Sequence, residues 1–447
     1  MKQSHLSYLG IGVICALASF LWYFDRFPRS FSGQREESTT AQGSPQTSAE
    51  IKVIPSAPPT PPPLQIDPEL QTIVDAQLAN LKAAGFDPAQ QGVWIESNRG
   101  TFAEFQGNTP LAVASLTKLA TTLTALQTWP TDYQFYTRVL TQGTIANGTL
   151  TGDLIIQGGA DPFYVWESAI LLGNRLNQLG IQTVTGSLII EGLFVMNFER
   201  DPAIAGELFR QALNADFWPN EALLQYQNNL PADTPQPRIT IAGETIVRSA
   251  PTFQAGLTTL VEQPSLPLVQ LLKQMNNYSN NIMAQLFADL MGGAPTLQQT
   301  VVQVAQVPSK EVAFSNGSGL GHENQISAQG SCKVIKAIEE KLEPQGFSVS
   351  DIMPISQRDP GTLSYRNLPP GLTAKTGTLW DVSTLAGVLS ATDQPVKQLD
   401  QGNFLCFAIL NRGANIDFFY QAQEDFVGEL KTYLQKTSSG SSLQSAL

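Results

Sequence analysis

The sequence predicts an α+β protein in which both ends of the globular region complete one antiparallel sheet, with helices between them and a smaller domain inserted midway. Three observations carry this. Residues 92–97 (GVWIES) and 101–105 (TFAEF) read as two strands joined at Asn98-Arg99-Gly100, and further strand signals close the chain at 385–388 and 404–410. Apolar residues at helical spacing fill much of the interval, at 70–84, 119–126, 167–179, 266–291 and in the stretch ending at Glu339. Between 185 and 262 the text turns irregular, with several Pro and Asn and one strand signal at 238–242.

At 447 residues the chain is long enough for two or three packed domains. Residues 1–28 are read as a membrane anchor or a signal peptide. The 19 residues 6–24 carry no charge, a length that just crosses a bilayer. Ala16-Leu17-Ala18 also supplies the small-x-small pattern of a signal-peptidase site. Either reading makes the rest of the chain periplasmic or otherwise extracytoplasmic, held to the inner membrane by residues 6–24 or secreted after cleavage near Ala18. Residues 29–65, rich in Ser, Thr, Gln, Gly and Pro, cannot bury enough apolar surface to offset their ordering entropy and are read as a disordered linker. Its prolines favour an extended chain that holds a domain away from a membrane. Residues 66–184 and 263–435 are read as two parts of one domain, 185–262 as the insertion and 436–447 as a polar tail. Strand-like segments at 152–157 and 186–191 flank the helical stretch at 167–179.

Charge and residue counts exclude several functions. Lys and Arg total 26 against 38 Asp and Glu, a net charge of −12 that repels a phosphate backbone, so nucleic acid is set aside as a partner. His5 and His322 are the two histidines, and Cys15, Cys332 and Cys406 the three cysteines, with no C-x-x-C or H-x-x-x-H spacing. A zinc site of His and Cys is excluded, and no metal site is read. Cys332 and Cys406 are read as small buried apolar residues. His5 precedes the apolar run, which leaves one imidazole for a folded site. The base of a hydrolase would then be a carboxylate or a lysine of lowered pKa rather than the histidine of a Ser-His-Asp triad.

Three segments could carry chemistry. Ser115-x-x-Lys118 leads into the helical stretch at 119–126, so Ser115 stands at a helix start. Positions i and i+3 share a helix face, and the helix N-terminus favours both a neutral amine and a developing alkoxide. A lysine desolvated among Leu116, Leu119 and Ala120 can act as general base on Ser115. The spacing alone favours a Ser115 that caps the helix beside a Lys118 facing water. Tyr278-Ser279-Asn280-Asn281 lies within the amphipathic helical stretch, where three adjacent small polar residues need buried partners. Lys375-Thr376-Gly377-Thr378 opens a strand-like stretch, offering an ammonium and two hydroxyls on one side while Gly377 admits a substrate backbone. Met alone, it is also a turn before an ordinary strand.

Together and in this order, Ser-x-x-Lys, Ser-x-Asn and Lys-Thr-Gly resemble the active-site set of penicillin-recognising serine enzymes. The chain resembles in particular the class C low-molecular-mass penicillin-binding proteins, the DacB-like D-alanyl-D-alanine carboxypeptidases/endopeptidases, over roughly residues 70–430. The long interval between Lys118 and Ser279 suits that family's insertions, and residues 152–162, 316–324, 353–356 and 361–363 resemble further family segments. Asn316 stands where the family usually has Asp, Gly321 where it has Ser, and His322 where it commonly has Arg; His322 is read as a loop or packing residue. Phe217-Trp218-Pro219-Asn220 does not match the segment that reads the peptide's diamino acid, so no specificity residue is assigned in the insertion.

The resemblance implies a penicillin-binding/β-lactamase-like transpeptidase fold, an antiparallel sheet with helices on both faces and a smaller, mainly β insertion. It implies that Ser115 attacks the carbonyl between two D-alanines, Lys118 takes its proton, and Ser279 relays a proton to the leaving amine. Asn281 would hold the substrate amide, and Lys375 the terminal carboxylate with Thr376 and Thr378 assisting. The N–H groups of Ser115 and Thr378 would form the oxyanion hole. No metal or organic cofactor is implied; the expected partners are peptidoglycan stem peptides, with β-lactam antibiotics as covalent inhibitors. Two rivals are a β-lactamase-like hydrolase and a non-catalytic cell-wall-binding protein that keeps the fold. A class A lactamase needs a deacylating Glu after the second motif, whereas Glu221 precedes it.

Overall fold

The computed structural model describes residues 64–249, 256–397, 399 and 403–444, apart from the side chains of 439–444. The apolar span, the Ala18 cleavage site, Cys15 and nearly all of the proline-rich linker lie outside the described residues. The main sheet has six strands in the order Gln65–Ile66, Thr101–Phe105, Gln91–Ser97, Phe404–Arg412, Val382–Ser390 and Thr373–Leu379. All neighbours are antiparallel except the short first pair. The two ends of the globular region meet where Ile95 faces Phe407 and Val93 faces Ile409.

Strand Phe404–Arg412 is apolar along almost its whole length because it is covered on both faces. Alternate residues serve different cores. Cys406, Ala408 and Leu410 join Leu119 and Leu123 of helix Thr117–Thr128, Phe287 of Asn281–Leu290 and Ile335 of Ala328–Leu342. Leu405, Phe407 and Ile409 join Leu70 and Val74 of helix Pro68–Ala83 and Val427 and Leu430 of the last helix, Ile416–Gln444. Cys332 and Cys406 are both buried and unbridged, with Cys406 Sγ 3.9 Å from the Cys332 carbonyl oxygen. The last helix continues through most of the stretch expected to be a polar tail.

A second unit has its own core around five strands, in the order Thr245–Arg248, Leu188–Leu193, Leu154–Gly159, Tyr136–Thr141 and Thr258–Pro264. Its first strand lies well ahead of residue 185, the expected start of the insertion. Val139, Leu154 and Ile156 face the second core, and no local pattern distinguishes them from strands of the first. Tyr136–Thr141 and Thr258–Pro264 pair antiparallel, so the chain leaves the main body and returns to it side by side. Helices Trp166–Gln178, Pro202–Ala212 and Asn220–Asn229 cover this sheet.

The helical stretch at 266–291 is two helices, Leu268–Asn277 and Asn281–Leu290. Between them Ser279 adopts a left-handed conformation, φ +52°, and Asn280 caps the second helix by accepting from the Met283 N–H at 3.0 Å. Three polar residues in a row favour that break, since their side chains compete for backbone hydrogen bonds.

Candidate active site

Ser115 lies in a single 3-10 turn, Ala114–Leu116, that feeds helix Thr117–Thr128. Ala114 takes the left-handed conformation, φ +47°, and Gly319 packs so closely on it that a Cβ there would sit 1.9 Å from the Ala114 carbonyl oxygen. The turn is pinned by Val113 N–H donating to Asn324 O at 3.0 Å. Such a strained turn is sustained only by close packing around it.

Lys118 does not face water. It is fully buried, and Nζ lies 3.0 Å from Ser115 Oγ, 2.8 Å from Asn281 Oδ1 and 2.6 Å from the Ser318 carbonyl oxygen. Burial, and then the nearby charge of Lys375, hold its pKa well below the usual lysine range. Two of the three neighbours accept only. A neutral amine has two hydrogens, and giving them to Asn281 and Ser318 turns its lone pair toward the Ser115 hydroxyl.

Lys375 is equally buried. Its Nζ lies 3.0 Å from Ser279 Oγ and donates to the Thr376 carbonyl at 2.7 Å, and burial lowers its pKa to about 7. The break at 278–280 is what presents Ser279 to Lys375 and Asn281 to Lys118 from neighbouring turns.

Gly377 packs against the nucleophile turn. A Cβ on it would lie 2.5 Å from Val113 O and 3.0 Å from Ser115 N, so the missing side chain admits the protein's own nucleophile turn. Thr384 Oγ1 donates to Val113 O at 2.9 Å from the adjoining strand and fastens the same turn. Thr376 Oγ1 donates to Thr362 Oγ1 at 2.8 Å, while the exposed Thr378 has its Oγ1 2.9 Å from Tyr420 OH. The three segments therefore touch pairwise: Lys118 on Asn281, Ser279 on Lys375, and Gly377 on Ser115.

Residues 315–324 form a fourth wall that residue-type reasoning did not assign to the site. The buried Asn324 accepts from the N–H groups of Ser315 and Asn316 and donates to the carbonyls of Leu320 and Gly321. Asn316 Oδ1 accepts from Ser318 N, Ser318 Oγ and Gly319 N at 2.8–3.1 Å. Those are acceptor roles that a carboxylate would also fill, so Asn in place of Asp preserves them, and its Nδ2 adds a bond to Leu320 O at 2.6 Å. His322 is a packing residue of this loop's outer side. Its Nε2 is 2.5 Å from Asp381 Oδ1, and Arg412 Nε donates to Asp381 Oδ2 at 3.0 Å. Burial alone would raise the Asp381 pKa, but the hydrogen bonds and charges of these two partners hold it below the usual carboxylate range. Among the described residues no group of three or more His, Cys, Asp or Glu gathers to hold a metal ion.

The model of the D-Ala-D-Ala carboxypeptidase 3 (S13) family matches residues 76–200 and 226–430. The chain belongs to this family. It is a DacB-like low-molecular-mass penicillin-binding protein. Carboxypeptidase DacB of Mycolicibacterium smegmatis is 30% identical over 182 residues, 37% of this chain and 38% of that one. A carboxypeptidase of Mycobacterium tuberculosis is 26% identical over 347 residues, 68% of this chain and 72% of that one. Among solved structures, a predatory peptidoglycan endopeptidase from Bdellovibrio bacteriovorus superposes with a TM-score of 0.63 at 22% identity, covering 76% of this chain and 92% of its own. Penicillin-binding protein 4 of Haemophilus influenzae gives 0.58 at 18%, covering 79% and 99%. At these identities the structures share a fold, the α+β architecture expected from the sequence.

Proposed function

We propose that this S13 protein is a serine-type D-Ala-D-Ala carboxypeptidase, endopeptidase or both, acting on peptidoglycan stem peptides through a Ser115 acyl-enzyme. The observation that carries the reading is the buried Lys118 amine, its pKa held well below the usual lysine range by burial, 3.0 Å from Ser115 Oγ with Asn281 Oδ1 and Ser318 O placed as acceptors. Lys118 takes the hydroxyl proton as Ser115 attacks the carbonyl between the two D-alanines. The N–H groups of Ser115 and Thr378 receive the oxyanion. Ser279 then relays a proton to the leaving amine, and water releases the acyl group. Asn281 uses Oδ1 to orient Lys118, which leaves Nδ2 to donate to a substrate amide carbonyl. Lys375, whose pKa of about 7 rises when an anion docks beside it, binds the terminal carboxylate with Thr376 and Thr378.

A peptidoglycan substrate places the reaction outside the cytoplasm. Residues 6–24 anchor the enzyme to the inner membrane or are removed near Ala18; among the described residues no helix is long and apolar enough to cross a membrane. β-Lactam antibiotics acylate Ser115 in the same way, and a penicillin G-acylated form of the Bdellovibrio endopeptidase supports this. Labelled penicillin tests the reading. Stable labelling that disappears in Ser115→Ala is expected; rapid drug turnover would favour a lactamase, and absent labelling a non-catalytic wall-binding protein. Incubation with purified muropeptides then separates loss of terminal D-alanine from cleavage of cross-links.

A further inference from the structure

We infer that Tyr420 is a positioning residue that aims the Thr378 hydroxyl at the substrate's terminal carboxylate; the inference rests on the function just proposed. Tyr420 comes from the last helix, outside all three signature segments, yet its OH lies 2.9 Å from Thr378 Oγ1. Its ring is held in place. The Arg366 guanidinium stacks over it at 4.1 Å from the ring centroid, and Arg366 is itself fixed by Glu424 Oε1 at 2.6 Å, the Tyr420 carbonyl at 3.0 Å and Gln423 Oε1 at 3.2 Å. Arg366 is buried, so this clamp does not depend on a mobile surface side chain.

A threonine hydroxyl has one hydrogen and turns freely unless something fixes it. Either oxygen can donate in the Thr378–Tyr420 pair, and an anion in the cleft that takes the threonine hydrogen leaves the phenol as donor to Thr378 Oγ1. The neighbouring threonine is fixed by the same stretch of chain: Thr376 Oγ1 meets Thr362 Oγ1 at 2.8 Å, four residues before Arg366. Thr376 and Thr378 thus each meet a second hydroxyl, Thr376 donating to Thr362 and Thr378 paired with Tyr420 beside the Arg366 clamp.

Tyr420→Phe keeps the ring over Arg366 and removes only the phenol oxygen. Steady-state kinetics would be measured on a D-Ala-D-Ala peptide and on its C-terminal amide, for wild type, Tyr420→Phe, Thr378→Val and the double variant, with penicillin labelling and thermal melting alongside. Loss of one neutral hydrogen bond predicts a fall of about 3- to 10-fold in kcat/KM on the free acid, mostly through KM, with melting unchanged. It also predicts less than about a twofold effect on the amide or in the Thr378→Val background. An equal loss on the amide, or a fall in the double variant that multiplies the two single ones, overturns the inference while Ser115 labelling stays intact. Wild-type protein that takes no penicillin label overturns the functional reading and the inference with it.

Discussion

Gly377→Ala isolates the claim that the third signature segment sets the position of the nucleophile. The added methyl would lie 2.3 Å from Thr384 Oγ1, 2.5 Å from Val113 O and 3.0 Å from Ser115 N, against ordinary contact distances of about 3.5 Å. Relief requires the turn at 113–115 to move away from the strand by about 1 Å, because two of the three obstacles are backbone. Overpacking of that kind costs about 1–3 kcal/mol of stability. A 1 Å displacement of a reacting group costs about 10²-fold in rate. The assay is the acylation rate with fluorescent penicillin, with thermal melting to follow the fold. The expected result is acylation about 100-fold slower in a protein that still unfolds cooperatively at a lower temperature. Adding Thr384→Ala removes the nearest clash but also the bond to Val113 O, so only part of the loss returns. Acylation by Gly377→Ala within about threefold of wild type, or full recovery in the double variant, would refute the reasoning.

Lys118→Met is expected to slow penicillin acylation by about 10²- to 10⁴-fold, the usual worth of a general base, and to lower the melting temperature modestly, since Asn281 Oδ1 and Ser318 O lose their donor while a desolvated amine is removed. The pH profile of kcat/KM should fall on the acid side as Lys118 gains its proton and on the alkaline side above about pH 7 as Lys375 loses its own; Lys375→Arg, which stays charged, should move the alkaline limb upward. Asp161 has its pKa raised to about 7 by burial, against a backbone hydrogen bond from Phe163 that lowers it. The unfolded chain therefore releases this proton first, so the Asp161 contribution makes stability fall as pH rises from about 4 to 7, and Asp161→Asn should flatten that slope in melting curves. Asn324→Ala strips four hydrogen bonds from the loop that carries Ser318 and should destabilise the protein by about 2–4 kcal/mol in denaturant unfolding while slowing acylation.

What could be read from the sequence was what depends on neighbours along the chain. The hairpin at 92–105, the late strands and the helical stretches are local periodicities, and they sufficed for an α+β sheet closed by both ends. Ser115 and Lys118 meet within one helical turn, so spacing brought them together. Residues 278–281 show the limit, because apolar periodicity runs straight through them and only three adjacent polar residues hint at the break that turns Ser279 toward Lys375. The boundary of the second unit was missed because the strand at 136–141 carries no mark of which core it will face. Nothing at 377 records that residues 113–115 arrive against Gly377. Tyr420 and Arg366 gave no signal at all: a tyrosine on an amphipathic helix is ordinary until its partner across the fold is known.

The pairing of Gln91–Ser97 with Phe404–Arg412 has a temporal consequence. Ser115 precedes Lys375 in the chain by a long interval, and the hairpin that bears Lys375 joins the first hairpin only through Phe404–Arg412, which follows both. Contacts so distant along the polymer form late. A chain that stops before residue 404 therefore holds Ser115 and Lys375 on pieces that no strand yet joins.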